Sequence, residues 1–271
     1  MDKYCLYKGN LLPLDQLPFA SFDRLMYGDG FFETMRYEQG RIPLWNYHLQ
    51  RMQLSCEALG FEVPAEFSLQ SDDGVLKQVS NWLGKTSSYR LRLMVVRRSG
   101  GRYKALHEDA TFYIEAVPLQ YAWNDTKPID VVRMLPWNSG NALMPGKGPR
   151  KGDYVTPSKQ RVANEEVLFY NGRGCMTEGS FTNILYYRNG FWQTPSAEFP
   201  MVHGVFRAFL LEKNLVQEGV LSRFLVKDVE AFMLCNAVQG VIPVYSILRK
   251  ELNNSKDIIE EFIQQLNSTL P

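Results

Sequence analysis

Apolar residues recur at helical spacing in several parts of the chain. Over residues 46–59 they are spaced three and four positions apart, and Gly60 stands where such a helix would end. Over residues 257–266 the isoleucines, Phe262 and Leu266 share one helical face. The pattern predicts five helices, over 46–59, 74–83, 206–213, 227–231 and 257–266.

Runs rich in β-branched and aromatic residues lie between these helices. Residues 89–98 and 111–117 are two such runs, and the SGGR turn between them predicts a hairpin. Further strands are predicted over 167–171, 183–187 and 191–194, the last two joined by an RNG turn. Proline, asparagine and aspartate cluster at 118–128, which indicates a domain boundary. We therefore predict an α+β fold of two domains, 1–120 and 121–271, that share a cleft.

Composition narrows the possible partners. The 271 residues are 45% hydrophobic, which is typical of a packed globular protein, and a net charge of +1 gives no reason to expect nucleic acid or an anionic membrane. The N-terminal residues lack an apolar signal segment, and no stretch approaches the roughly 20 apolar residues of a membrane-spanning helix. We expect a cytoplasmic protein. Three histidines and four scattered cysteines, without metal-ligand spacing, predict no metal site.

Four short stretches contain the candidate chemistry. Each alone has an ordinary structural explanation, such as a turn, a solvated helix or a basic loop. Neither a GxGxxG nor a GxxxxGK[ST] phosphate loop is present, which disfavours the common nucleotide-binding folds. The four stretches are YGDGFFETMR at 27–36, NYHLQRM at 46–52, KGPRKGDY at 147–154 and RGCMTEGSFTNI at 173–184.

In this order and spacing the four stretches resemble the class IV, or fold type IV, pyridoxal-phosphate enzymes. That family includes branched-chain and D-amino-acid aminotransferases and aminodeoxychorismate lyase. The longest match is EEVLFYNGRGCMTEGSFTN, residues 165–183, and it is followed by a Thr-Pro pair at 194–195 and a Gly-Val-Phe-Arg segment at 204–207. The resemblance runs from about residue 25 to about residue 245.

The resemblance implies pyridoxal 5′-phosphate (PLP) as the cofactor. Such an enzyme needs a lysine amine, which forms a Schiff base with the cofactor and moves the substrate's α proton. It also needs a carboxylate that keeps the pyridine nitrogen protonated, and Glu178 matches that position. The phosphate needs a cation and backbone N–H donors. The residues that the resemblance assigns to the phosphate are Arg51, Gly204, Val205, Phe206, Asn236 and Ala237.

Two lysines compete for the Schiff base. Lys147 lies 31 positions before Glu178 and has Tyr154 seven positions after it, as in many lyase-like members of the family. Lys151 lies 27 positions before Glu178 and is the alternative. The spacing favours Lys147 as the catalytic lysine, with Tyr154 as a further catalytic residue.

The resemblance points to a lyase more than to an aminotransferase. RRSGGRYKAL at 97–106 and LCNAVQGVIPV at 234–244 are similar to segments of aminodeoxychorismate lyase, which converts 4-amino-4-deoxychorismate into pyruvate and 4-aminobenzoate, a folate precursor. Tyr27, Arg92 and Arg102 would then bind the substrate.

Two alternatives remain at this stage. Glu33 stands where aminotransferases of the family have glutamate, so an aminotransferase acting on branched-chain or D-amino acids is the first. A non-catalytic protein that keeps the scaffold is the second. The family also implies a homodimer, with the cofactor in the cleft between the two domains.

Overall fold

The computed structural model describes residues 4–67, 74–124, 127–136, 164–252 and 255–270. The chain divides into two compact units, which adjoin in the sequence at Gln120 and Tyr121. Lys147, Lys151 and Tyr154 lie outside the described residues. Their predicted roles therefore stay predictions from the sequence.

The first unit contains a five-stranded sheet and two α-helices among its described residues. Its elements are β1 (Tyr4–Tyr7), β2 (Asn10–Pro13), β3 (Gly30–Tyr37), α1 (Trp45–Leu59), α2 (Val75–Leu83), β4 (Tyr89–Arg97) and β5 (Ala110–Pro118), with 3₁₀ helices at Leu14–Gln16, Phe19–Tyr27 and Ala65–Phe67. The sheet is antiparallel, in the order β2-β1-β5-β4-β3. Alternate residues of β4, Leu91, Leu93 and Val95, pack in one core with Met52 of α1 and Val79 of α2.

The second unit is built around a larger, mixed sheet. Its described elements are β6 (Ile129–Pro136), β7 (Glu165–Tyr170), β8 (Met176–Gly179), β9 (Asn183–Arg188), β10 (Phe191–Pro195), α3 (Val205–Glu212), β11 (Gln217–Gly219), β12 (Ala231–Asn236), β13 (Gly240–Ile247), β14 (Lys250–Glu251) and α4 (Ser255–Thr269). The strands follow the order β9-β12-β13-β6-β7-β8, and β8 pairs back with β9 through Glu178 and Asn183. The sheet therefore closes on itself around an apolar interior that includes Leu168, Ile184 and Phe232.

The local turn chemistry of the sequence is confirmed at three points. Strands β4 and β5 pair as the predicted hairpin. Gly60 ends α1 with a left-handed φ of 67°, and the turn between β9 and β10 has left-handed Asn189 and Gly190. The predicted α+β fold is confirmed as well. None of the helices in the described residues combines the length and apolarity that crossing a membrane requires.

The helix predicted over 227–231 is wrong. The residues before Ala231 form turns and bends, and Ala231 begins β12, which lies between β9 and β13. Residues from Ala231 to Cys235 are fully buried. Five residues are too few to sustain a helix, whereas an apolar run of this length fits a central strand that is covered on both faces.

Candidate active site

Glu178 lies where the sheet of the second unit closes. It is the third residue of β8, pairs with Asn183 of β9, and is only 3% exposed. Its Oε2 accepts a hydrogen bond from the main-chain N–H of Val202 at 3.0 Å. The residue that the sequence assigns to the cofactor's ring nitrogen is thus held in a defined orientation.

Glu166 anchors the turn that joins Glu178 to β9, and the sequence analysis gave it no role. Its buried carboxylate accepts hydrogen bonds from the Ser180 hydroxyl at 2.6 Å, the Ser180 N–H at 3.2 Å, the Thr182 hydroxyl at 3.0 Å and its neighbour's N–H. A β-carbon at Gly179 would overlap Thr182. Gly179, Ser180 and Thr182 of the TEGS-x-T pattern are therefore the small and hydroxyl residues that surround one buried carboxylate. An acidic residue directly before the apolar VLF run was the available signal.

Asn183 is a second positioning residue that the sequence analysis missed. Its side-chain Nδ2 donates to the carbonyl of Val202 at 3.0 Å, while Glu178 binds the N–H of the same residue. A β-carbon at Gly204 would overlap the Asn183 amide, so only glycine allows this close approach. The segment that leads into α3 is therefore held on both sides of Val202.

The N-terminus of α3 presents backbone donors. The first intrahelical hydrogen bond of α3 runs from the Ala208 N–H to the Gly204 carbonyl at 2.9 Å, and the N-cap residue, Gly204, has no side chain that could cap the helix. The N–H groups of Val205 and Phe206 consequently have no acceptor within the helix. Together with the helix dipole they favour an anion at this end. The geometry agrees with the predicted role of Gly204, Val205 and Phe206, which stays a prediction.

Arg207 fixes the direction of α3. Its guanidinium donates to the Thr194 hydroxyl at 3.2 Å, the Pro195 carbonyl at 2.7 Å and the Glu218 carboxylate at 2.6 Å. Burial alone would raise the pKa of Glu218, but hydrogen bonds from Arg207 and from the Ala197 N–H hold that pKa below its usual value. The Thr-Pro pair and the arginine that carried the family resemblance are therefore structural partners.

Asn236 shapes the turn between β12 and β13. Its side-chain oxygen accepts hydrogen bonds from the N–H groups of Val238 at 3.0 Å and Gln239 at 2.8 Å. Ala237 lies inside this turn, and α3 packs against β12. The Asn236 amide oxygen is thus engaged within the protein. The predicted phosphate contacts of Asn236 and Ala237 stay predictions.

In the first unit, Arg51 of α1 pairs with Glu33 of β3. The Arg51 Nε donates to Glu33 Oε1 at 2.7 Å, its Nη2 donates to Oε2, and His48 Nδ1 lies 3.0 Å from Oε2. Burial alone would raise the pKa of Glu33, but the Arg51 charge and the His48 hydrogen bond lower it from 4.5 to about 2. The arginine assigned to the phosphate is therefore oriented by a buried carboxylate, and its cofactor role stays a prediction.

The GDG turn of the first unit places Asp29 between two arginines. Asp29 Oδ2 accepts from the Nε of Arg24 at 3.0 Å and from the Nε of Arg97 at 2.9 Å. Arg97 also donates to the carbonyls of Leu59, the last residue of α1, and Gly60, which follows it. These three side chains, Arg24, Asp29 and Arg97, connect the start of β3, the end of β4 and the end of α1. Arg97 is consequently a structural residue.

A cleft of about 730 Å³ is lined in part by Arg24, Asp29 and Arg97. Tyr27 and Tyr103 meet edge to face across it with ring centroids 5.9 Å apart, and Arg24 donates to the main-chain carbonyl of Arg102. The structure thus brings two predicted substrate residues, Tyr27 and Arg102, to one region. Arg92 is exposed in β4 opposite Glu115 of β5, and no contact described for these residues joins it to that cleft.

The chain belongs to the amino-transferase class IV family, whose model matches residues 30–247. This match confirms the predicted family and the prediction that the protein is an enzyme of that family. Its described residues also superpose on solved structures of fold type IV enzymes, so the predicted fold type is confirmed.

Three relatives illustrate the similarity. A Schizosaccharomyces pombe protein named "Putative aminodeoxychorismate lyase" is 26% identical over 233 residues, which is 83% of this chain and 93% of that protein. The 4-amino-4-deoxychorismate lyase of Pseudomonas aeruginosa has a TM-score of 0.76 and 22% identity, covering 97% and 98% of the two chains. A hypothetical aminotransferase from Mycobacterium tuberculosis, in a PLP-bound form, has a TM-score of 0.77 and 21% identity, covering 99% of both chains.

Proposed function

We propose that the protein is a PLP-dependent aminodeoxychorismate lyase that converts 4-amino-4-deoxychorismate into 4-aminobenzoate and pyruvate. The observation that carries the proposal is the buried Glu178 carboxylate, fixed at the closure of the sheet in a chain of the class IV family. The relatives from S. pombe and P. aeruginosa, both named for this lyase, support the choice of reaction.

The residues of the second unit fit the cofactor's chemistry. PLP presents a ring nitrogen that is a cation when protonated and a phosphate that is a dianion. A buried, oriented carboxylate at Glu178 suits the first, and the uncapped N-terminus of α3 suits the second. Gly204 has no side chain to obstruct that helix end. Arg51 would add a positive charge to the phosphate contacts.

The chain's own residues would have separate roles in the reaction. When bound, PLP supplies an electron-accepting ring that stabilises negative charge at the substrate's amine-bearing carbon. Glu178 would hold the proton on the ring nitrogen. Lys147 would take the proton from the amine-bearing carbon at its Nζ and return a proton to the three-carbon group that leaves as pyruvate. Arg102, whose main-chain carbonyl is bound by Arg24 beside Tyr27, would bind one carboxylate of the substrate, and the sequence offers Arg92 as the candidate for the other.

An aminotransferase of class IV is the second candidate. Glu33 favoured it in the sequence, and the M. tuberculosis relative is named as an aminotransferase. In the structure, however, Glu33 is a buried partner of Arg51 and His48. Such a role serves either reaction equally, so Glu33 no longer favours the aminotransferase.

The test is a product assay with the purified protein and PLP. With 4-amino-4-deoxychorismate we expect equal amounts of 4-aminobenzoate, measured by its fluorescence after chromatography, and pyruvate, measured with lactate dehydrogenase. Transfer of the amino group from branched-chain or D-amino acids to an added keto acid, without formation of 4-aminobenzoate, would support the aminotransferase. Failure to bind PLP would contradict both candidate reactions.

Glu178→Gln should lower kcat about 100-fold while leaving the fold intact. The glutamine oxygen can still accept the Val202 N–H, but a neutral amide no longer favours a proton on the ring nitrogen. Steady-state kinetics and the thermal unfolding midpoint measure the two effects. The matched control is Glu230→Gln, because Glu230 also accepts a backbone N–H, that of Asn189, but at an exposed turn. Equal kinetics for both variants would contradict the role of Glu178.

The proposal includes a homodimer in the cytoplasm. The homodimer is supported by the family resemblance. The small net charge of the chain agrees with a small-molecule substrate as its partner, in place of nucleic acid or a membrane surface.

A further inference from the structure

Two consecutive residues at the start of the second unit contact both elements assigned to the cofactor phosphate. Trp123 packs edge to face on Phe206, the second residue of α3, with ring centroids 5.6 Å apart and the ring planes at 83°. The next residue, Asn124, binds the turn between β12 and β13. No motif of the family resemblance includes either residue.

Asn124 holds the far end of that turn by two hydrogen bonds. Its side-chain Oδ1 accepts from the Val241 N–H at 3.0 Å, and its main-chain N–H donates to the Gln239 carbonyl at 3.0 Å. Asn236 holds the near end of the same turn through Val238 and Gln239. The turn is therefore clamped at both ends by asparagine side chains, one of them 117 positions away from its partner in the sequence.

The backbone on both sides of this contact has an uncommon conformation. Asn124 has a φ of 60° and Gly240 has a φ of 78°, both in the left-handed region. A β-carbon at Gly240 would overlap the Asn124 amide. Asparagine and glycine are the residues that adopt this conformation at the lowest cost. The contact thus requires a particular residue on each side, as expected of a site whose position matters.

We propose that Asn124, assisted by Trp123, is a positioning residue for the cofactor phosphate. It fixes the Asn236–Gly240 turn, which contains Ala237, relative to the N-terminus of α3, so that the phosphate contacts predicted for Ala237 and for Val205 and Phe206 converge on one dianion. Donors of this kind lose much of their strength when they are displaced by about 1 Å. The inference rests on the proposed function, because it assumes that the protein binds PLP.

The test compares PLP with pyridoxal, which lacks the phosphate. Asn124→Gly removes the side-chain acceptor and tolerates the left-handed backbone. We expect the Kd of PLP, measured from the absorbance of the bound cofactor, to rise about tenfold and that of pyridoxal to change less than about twofold. Asn189→Gly is the matched control, since Asn189 is also left-handed but lies in the turn between β9 and β10. It should leave both Kd values unchanged.

Trp123→Leu is an independent second variant, which loosens the contact with Phe206 without altering the turn. It should weaken PLP binding several-fold and spare pyridoxal. An unchanged PLP affinity, or an equal loss for PLP and pyridoxal, in both variants would overturn the inference. Failure of the unaltered protein to bind PLP would instead overturn the proposed function. Normal PLP binding without lyase activity would leave the inference standing and replace only the reaction.

Discussion

Lys147→Ala is expected to lower kcat about 1000-fold and to abolish the covalent attachment of PLP. The reason is that one amine has two tasks, attachment of the cofactor and transfer of the substrate's proton. Borohydride reduction of the PLP-loaded protein, followed by peptide mass spectrometry, identifies the attached lysine directly. Steady-state kinetics with 4-amino-4-deoxychorismate measure the loss of turnover.

Lys151→Ala is the matched control, because it removes the other lysine of the KGPRKGDY segment. The Lys151→Ala variant should still carry the reduced PLP adduct on Lys147 and should retain most of the activity. The choice between the two lysines rests on their spacing from Glu178, since both lie outside the described residues. An adduct found on Lys151 would show that the spacing argument is wrong.

Glu33→Gln is expected to lower the free energy of unfolding by about 3–5 kcal/mol. The carboxylate of Glu33 is fully buried and binds Arg51, which is 6% exposed. A neutral amide would leave the Arg51 guanidinium buried without its counter-charge, and it would also change the hydrogen bond with His48. Urea denaturation monitored by circular dichroism measures the loss.

Glu260→Gln provides the comparison for an exposed ion pair. The Glu260 Oε1 lies 3.9 Å from the Lys256 Nζ on the surface of α4, and the replacement of Glu260 should change the free energy of unfolding by less than about 0.5 kcal/mol.

Acid titration gives a second check on the stabilising effect of Glu33. Because the folded pKa of Glu33 is about 2 and its ordinary value is 4.5, its contribution is complete above pH 4.5 and is lost as the pH falls towards 2. If Glu33→Gln were as stable as the unaltered protein, the ion pair of Glu33 and Arg51 would make no net contribution to the free energy of unfolding.

The sequence predicted the elements whose signals are local. The hairpin of β4 and β5, helix α1 with Gly60 at its end, and the turn between β9 and β10 all follow from residues that are adjacent or one helical turn apart. The helix over 227–231 failed because its weak local pattern was overridden by the burial of β12 between two other strands. Strand β3 was not predicted, because charged residues, Glu33 and Arg36, occupy two of its buried positions and obscure the apolar pattern.

Some residues of the candidate site could be predicted from the sequence, whereas others could not. Glu178 and the glycine before α3 could be identified because they belong to a motif with fixed spacing. The roles of Glu166 and Asn183 could not, since each depends on how the turn after β8 folds back when the sheet closes. A carboxylate in a sequence gives no sign of which hydroxyls and N–H groups will surround it.

The family, the α+β class and the residue types that a PLP enzyme needs could therefore be predicted from the sequence, because motif spacing and local periodicity depend on neighbouring residues. The contacts that orient those residues depend on the tertiary fold. Arg51 meets Glu33, Arg207 meets Glu218, and Asn124 meets Val241, because buried charges and backbone N–H groups must find partners wherever the folded chain brings them. Those partners are distant in the sequence and are selected by packing.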